Sequence, residues 1–352
     1  MERVLANGAP QLQQAPQLPP STGVATLAAV MAQVEQQTAR GETSRIRPLA
    51  TGFHPLDEVL NGGLRAGELL IVGGPYGVGK TIFALQTARN AVLHQADAAA
   101  MYICYEHDRD HLLSRLLCLE SAEQEQQDAL TLRLLANLAL DAEQHGGLLA
   151  RLRATPRHAA VLGAMARYAE RLFLVKASGS TSTLVQIAAW ARELAAAGTQ
   201  GLLVVDYLQK IPVDHMAVQP ETETTTYLTQ GLKELAMTTG LRVLAIAASD
   251  RHGLQTKRMR LADLRGSSAL QYEADIGLVL NNKYEIISRE HLVYNLTQAE
   301  AMRNWVVMSV EKNRAGRTAV DMEFLLDAAH FRLVSNGGYV RERLIDEKVT
   351  LA

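Results

Sequence analysis

Gly74, Pro75, Tyr76, Gly77, Val78, Gly79, Lys80 and Thr81 fit the spacing Gly-x-x-x-x-Gly-Lys-Ser/Thr. Glycines at these positions let backbone N–H groups wrap phosphate oxygens, and a helix starting at their end adds positive potential. The lysine of such a loop reaches the β- and γ-phosphates, and the hydroxyl after it coordinates Mg²⁺. The required context is a strand before the loop and a helix after it. Leu69-Leu-Ile-Val72 is a short apolar run of strand type, and Ile82 to Val92 has the pattern of a helix. Gly74 through Ile82 are therefore expected to cradle a nucleoside triphosphate, with Lys80 and Thr81 on its phosphates and metal.

A phosphate loop needs a second acid to hold the metal's water shell. Gly201-Leu-Leu-Val-Val-Asp206 ends an apolar strand in a carboxylate, at the strand end that carries ligands in sheets of this kind. Hydrolysis also needs a carboxylate that orients or deprotonates water. Glu106 stands just beyond the run Met101-Tyr-Ile-Cys104 and suits that role. A surface glutamate favoured by a helix dipole fits the same position. Lys312 and Arg314 are two residues apart in a strand-like segment, so both side chains would point the same way. Aimed at a neighbouring subunit's triphosphate they would act in trans; a basic hairpin turn helped by Asn313 and Gly316 would explain them equally. Lys257, Arg258 and Arg260, with Arg265 close behind, form the most basic stretch, suited to a nucleic-acid backbone. Solvated loop charge is the plain alternative. The segment from Pro212 to Thr226 reads as a loop, acidic through Asp214, Glu221 and Glu223, which is poor chemistry for gripping DNA.

Around these residues, strand and helix patterns alternate from Thr51 onward, which predicts a parallel sheet covered by helices. Expected strands are Leu69–Val72, Ala100–Cys104, Arg171–Val175, Gly201–Val205, Arg242–Ala247, Ile276–Leu280, Trp305–Val310 and Met322–Leu326. The last ones follow one another closely, which suggests an antiparallel extension. Arg109 to Glu170 reads as inserted helices. Before the core, Val24 to Thr38 has Leu27, Val30, Met31 and Val34 at helical spacing, an amphipathic helix that would either pack on its own domain or dock on a neighbouring subunit. The division expected is a flexible tail over 1–22, a linker helix and linker over 23–48, an ATPase domain over 49–335 and an irregular tail over 336–352.

In a chain of 352 residues, 48% are hydrophobic and the formal charge is −2, so a large core is possible and no global basic footprint exists. Cys104 and Cys118 supply neither a disulfide framework nor a metal spacing. No apolar run approaches the ~18 residues of a membrane span, and no signal sequence opens the chain. A cytoplasmic protein is expected.

Several motifs taken together resemble the RecA-type ATPase domain of DnaB-family replicative helicases. Thr51-Gly-Phe-His-Pro-Leu-Asp57, Gly62-Gly-Leu64, the phosphate loop, Asp206-Tyr-Leu-Gln209, Asp263-Leu-Arg265 and Lys312-Asn-Arg314 occur in the family's order over about residues 24 to 334. The resemblance implies an α/β fold with a RecA-like P-loop core. It also implies a hexameric ring, ATP and Mg²⁺, single-stranded DNA in a central channel, 5′-to-3′ movement, and a loader or other replication partner. Glu106 becomes the catalytic base, Asp206 the metal residue, Lys312 and Arg314 the groups acting on the adjacent nucleotide, and the Val24–Thr38 helix the linker that docks on a neighbour. Only a short tail precedes that helix, where the family has a helical domain. Ala247-Ala248-Ser249 stand where the family usually has Ser-Gln, whose glutamine senses the γ-phosphate, and Arg265-Gly-Ser-Ser268 replaces Arg-Glu-Ser-Gly. A regulatory or scaffold ATPase of the KaiC or RadA kind, which binds nucleotide and assembles without unwinding DNA, is the alternative.

Overall fold

Residues 24–124, 128–197, 200–213, 221–250, 253–287 and 301–345 are described by a computed structural model. The strands are β1 (Leu69–Gly73), β2 (Ala98–Cys104), β3 (Leu172–Lys176), β4 (Gln200–Asp206), β5 (Arg242–Ile246), β6 (Ile276–Asn282), β7 (Trp305–Asn313) and β8 (Val320–Asp327). The largely apolar β1, β2, β4 and β5 are buried on both faces, as parallel sheets covered by helices require, while β3 and β8 are only partly buried. Two short strands, β9 (Arg332–Leu333) and β10 (Gly338–Tyr339), complete the set among the described residues. The sheet runs β10-β8-β7-β6-β1-β5-β4-β2-β3, with β9 pairing β8. From β6 to β3 the neighbours are parallel, while β7, β8, β9 and β10 add antiparallel pairs. Each expected strand is present, and the antiparallel extension is as expected.

Alternation along β1 sends Leu70 and Val72 into one apolar cluster and Leu69 and Ile71 into the other. The helices, in chain order, are α1 (Leu27–Ala39), α2 (Leu56–Val59), α3 (Lys80–His94), α4 (Arg109–Glu123), α5 (Leu132–Leu140), α6 (Leu148–Arg153), α7 (Pro156–Ala166), α8 (Leu184–Ala196), α9 (Glu221–Thr239), α10 (Ser267–Glu273) and α11 (Lys283–Ile286). Within α4–α7, Leu117, Cys118, Leu135, Leu152 and Val161 form a third, smaller cluster. These are the inserted helices the sequence predicts, and β3 beside them is the sheet's edge. A buried ion pair ties α3 to α4: Arg89 Nε lies 2.6 Å from Glu120 Oε1, which also accepts from the Tyr168 hydroxyl at 2.8 Å. The Thr51–Asp57 motif is explained by one carboxylate. Asp57 accepts from the N–H groups of Thr51 and Gly52 and from the Thr51 hydroxyl, while Phe53 packs on Phe83 and Phe324.

The chain divides into a unit of residues 1–43 and a unit of residues 44–352. In the first, Thr26 caps α1 by accepting from Ala29 N–H, and none of the helix's residues is buried. The second unit starts earlier and ends later than the 49–335 read from sequence. Buried Arg242 donates to the carbonyls of Ser44 and Arg47, so the approach to the core belongs to it. β10 pairs with β8, and Leu344 bridges Ile287, so the stretch after 335 is partly built into the sheet. A two-residue strand has too few positions to show a period. No helix among the described residues is long and apolar enough to cross a membrane.

Candidate nucleotide-binding site

β1 delivers the chain to the loop at its carboxyl end, where Gly74, Gly77 and Gly79 take φ of 143°, 78° and 89°. A Cβ at Gly74 would stand 2.3 Å from the Leu280 carbonyl oxygen of β6, so only glycine permits that approach. Gly79, left-handed, caps α3, and the helix's free N–H groups face the loop. Lys80 Nζ donates to the carbonyls of Gly74 and Pro75, each at 2.7 Å. Burial pushes its ammonium down to about 8, against the pull of Asp206 and Glu106.

Parallel pairing of β2 with β4 sets Cys104 opposite Asp206, and Tyr105 N–H donates to the Asp206 carbonyl at 2.9 Å. Glu106 and Asp206 thus share one end of the sheet. Asp206 is 1% exposed and accepts from the Tyr102 hydroxyl at 2.7 Å. Burial holds its carboxyl above the usual range; hydrogen bonds from Tyr102 and Thr81 and the charge of Arg115 pull the other way. A serine-type hydroxyl beside a buried carboxylate is the two-oxygen set that Mg²⁺ uses when phosphate and water complete its shell. Thr81 and Asp206 fit that ion, and no group of three or more acidic, histidine or cysteine side chains among the described residues offers a closed metal cage. Glu106 is exposed, open to water.

Lys80, Thr81, Ile82, Glu106 and Asp206 line one cleft of about 310 Å³, together with Tyr76, Gly77 and Gly79. Ala247, Ala248 and Ser249 form its wall at the end of β5. The structure adds His107, Arg115, Leu326 and Phe331 to the lining. Arg115 Nη2 is 2.9 Å from His107 Nε2, and its guanidinium lies 4.9 Å from the Phe331 ring centre. No motif marks these residues; only a helix placed on β2's end turns Arg115 toward the cleft.

The family model for the DnaB-like helicase C-terminal domain matches residues 48–333. The chain belongs to that family. Replicative DNA helicase DnaB of Mycoplasma pneumoniae is 27% identical over 301 residues, covering 84% of this chain and 58% of the relative. The DnaB of Geobacillus stearothermophilus is 27% identical over 236 residues, covering 66% and 46% respectively. The chain thus spans about half the length of the curated relatives it matches. In fold it is similar to a separately solved ATPase domain, with a TM-score of 0.66 at 19% identity over 88% of this chain and 98% of that one. A DnaB-like replicative helicase solved with its interactions with primase gives a TM-score of 0.62 at 19% identity, over 88% and 67%.

Within this DnaB-like domain the remaining expected residues stand elsewhere. Lys312 donates to the carbonyls of Gln271 and Tyr272, and Arg314 donates to Tyr272 O at 2.6 Å and to Asp275 Oδ1 at 3.1 Å. The two cations do turn to the same place, the carboxyl end of α10. Asp275 also accepts from Leu69 N–H at 2.8 Å, which puts them at the amino end of β1. About 13 Å of strand separates that end from the phosphate loop. The structure therefore does not bring them to this chain's own cleft.

Arg258 corrects an expectation. It is 5% exposed and donates to Asp321 and Ser309, so a side chain expected to meet phosphates holds β7 and β8 instead. Arg260 lies 3.2 Å from Glu311. Lys257 and Arg265 are exposed. Arg265 is bound to the cleft wall through its backbone: its N–H donates to Ala248 O at 3.0 Å, and Gln209 joins the Ala248 N–H to the Arg265 carbonyl. Glu223 lies on α9 rather than in a loop, while Asp214, Arg251 and His252 lie outside the described residues.

Proposed function

We propose that this chain is the ATPase motor of a DnaB-like replicative helicase, hydrolysing ATP with Mg²⁺ as a hexameric ring around single-stranded DNA and moving 5′ to 3′ in the cytoplasm. The observation that carries this is the split of catalytic groups between the two ends of one sheet. Lys80, Thr81, Glu106 and Asp206 meet in the cleft, and Lys312 and Arg314 stand away from it at the far end of β1, which supports a role on another copy's nucleotide.

Lys80 exchanges its two carbonyl acceptors for phosphate oxygens, which favours its charged form in an otherwise desolvating site. Glu106 orients water on the γ-phosphorus and takes its proton as the oxygen bonds and ADP leaves. Thr81 and Asp206 would hold the metal, whose charge would offset that of the phosphates. Arg314 and Lys312 of the next subunit stabilise the charge gathering on the transferred group.

Coupling to DNA runs through the backbone ladder between Ala248 and Arg265 and through Gln209. A change at the cleft wall moves the segment that bears Arg265, and Lys257 and Arg265 meet the nucleic-acid backbone. Leu27 and Met31 of α1, 76% and 64% exposed, suit docking on a neighbouring copy. Loading onto DNA is the work of a further replication partner. Family membership favours this motor over a regulatory or scaffold ATPase of the KaiC or RadA type.

ATP turnover measured with and without single-stranded DNA at fixed salt tests the reading. Stimulation by DNA is expected; a rate and an oligomeric mass both indifferent to DNA would rule out the motor. Removal of residues 1–40 is expected to shift rings toward smaller species by light scattering, and an unchanged mass would refute docking by α1.

A further inference from the structure

Arg115 is held on two sides, and its buried Nε is unspent. Its Nη2 faces His107 Nε2 at 2.9 Å, and the Phe331 ring lies 4.9 Å from its guanidinium carbon. Its Nε is buried and has no hydrogen-bond partner among the described residues. All of this occurs at the wall of the nucleotide cleft, in company with Lys80, Thr81 and Asp206. A guanidinium has donors only, so the histidine nitrogen facing it must supply a lone pair. The imidazole is then neutral, with its proton on Nδ1.

We propose that neutral His107 is a positioning residue that holds the Arg115 guanidinium against the phosphate end of the cleft, and that protonation of its ring releases this hold. The inference rests on the nucleotide-site reading above and deepens it. Once held, Arg115 adds a cation from the same subunit to the charge on the transferred phosphoryl group, complementing the cations the neighbour brings. Protonated His107 has no acceptor left for Arg115 and sets a second positive charge against it.

The surroundings fix the ring and favour its neutral form. His107 N–H donates to Cys104 Sγ at 3.3 Å, and the ring stacks on His111 of α4 with centres 4.6 Å apart at 28°. Burial holds the imidazole below its ordinary range, the charges of Arg115 and His111 push the same way, and Asp108 opposes them. Glu106 precedes it in the chain, and Lys80 and Asp206 line the same cleft from the phosphate loop and β4. Phe331 sits in the left-handed region with φ of 52°, capping the short turn Ala328–His330. A bulky residue rarely adopts that conformation unless its surroundings hold it there.

The test is the pH dependence of kcat and KM for ATP hydrolysis by the full chain, compared with His107→Gln and His107→Leu. Glutamine offers a carbonyl acceptor that does not titrate; leucine offers none. The expected wild-type kcat falls on the acid side of neutrality. His107→Gln is expected to recover turnover without that acid limb, and His107→Leu to lose about 10- to 100-fold in kcat at every pH, with the thermal unfolding midpoint retained. An acid limb shared by the wild type and His107→Gln would overturn the proposal, as would wild-type kcat in His107→Leu. Wild-type protein that turns over no ATP at any pH would overturn the ATPase reading itself, before any histidine is changed, and this proposal with it.

Discussion

At the carboxyl end of β1, Lys80, Thr81, Glu106 and Asp206 line one cleft, whereas at its amino end Lys312 and Arg314 turn to the last carbonyls of α10. The first cluster is complete within the chain except for its ligand. The second neutralises part of its charge on Asp275 and on a helix end. Under the proposed function one strand would serve two sites, its loop binding a phosphate chain and its opposite end presenting cations to another copy. The basic segment adds a further contrast, since Arg258 is spent on Asp321 inside the fold while Lys257 and Arg265 stay on the surface.

The sharpest break in that comparison comes from Lys80→Ala. We expect ATP turnover to fall by at least about 10³-fold, since charge stabilisation at a transferring phosphoryl group is among the largest catalytic contributions. Steady-state hydrolysis checks it, and turnover near wild type would remove the cleft from the mechanism. Glu106→Gln keeps the shape and removes the base, so kcat should fall by about 10²- to 10⁴-fold with nucleotide binding retained. Equal loss of binding would recast Glu106 as a structural group.

Asp321→Ala leaves Arg258 buried beside Ser309 alone and is expected to cost about 3 kcal/mol of stability, read from denaturant unfolding. Nucleotide affinity should not follow, because β8's Asp321 lies away from the cleft lining. For Lys80 the sign is direct. The free site holds its ammonium near 8, and bound phosphate favours the charged form. ATP affinity should therefore be level below about pH 8 and weaken above it, with proton uptake on binding in calorimetry. An affinity that rises with pH would contradict the burial argument. The smallest effect is expected at Lys257: changing it to Ala should lower the salt slope of DNA binding by about one unit, whereas a lost Arg258 should act through stability.

What could be read in the sequence follows the range of the interaction. The phosphate loop was legible because glycine positions, lysine and hydroxyl are local and because the turn itself demands them. Strands β1, β2, β4 and β5 were legible as apolar runs, buried on both faces. Asp206 and Glu106 were expected at strand ends, where parallel sheets collect functional groups, and both line the cleft. Arg258 misled because its partner Asp321 is 63 positions away, and charge clustering in sequence says nothing of such pairing. Arg115 had no signal of its own: its place in the cleft lining arises when α4 brings it to His107 and to Phe331 from beyond β8. β10 has two residues, too few for periodicity to register.

Under the proposed function each active site is shared between copies of the chain. Lys80→Ala keeps Arg314, and Arg314→Ala keeps the cleft; Asp275 still has Lys233 and the Leu69 N–H after the second change. ATP hydrolysis by the two variants, measured separately and after mixing under conditions that let subunits exchange, is the most direct test. Each alone should be nearly inactive, and the mixture should recover turnover well above either, because some interfaces then hold both intact halves. A mixture no more active than its components, or full activity in Arg314→Ala alone, would contradict the shared site.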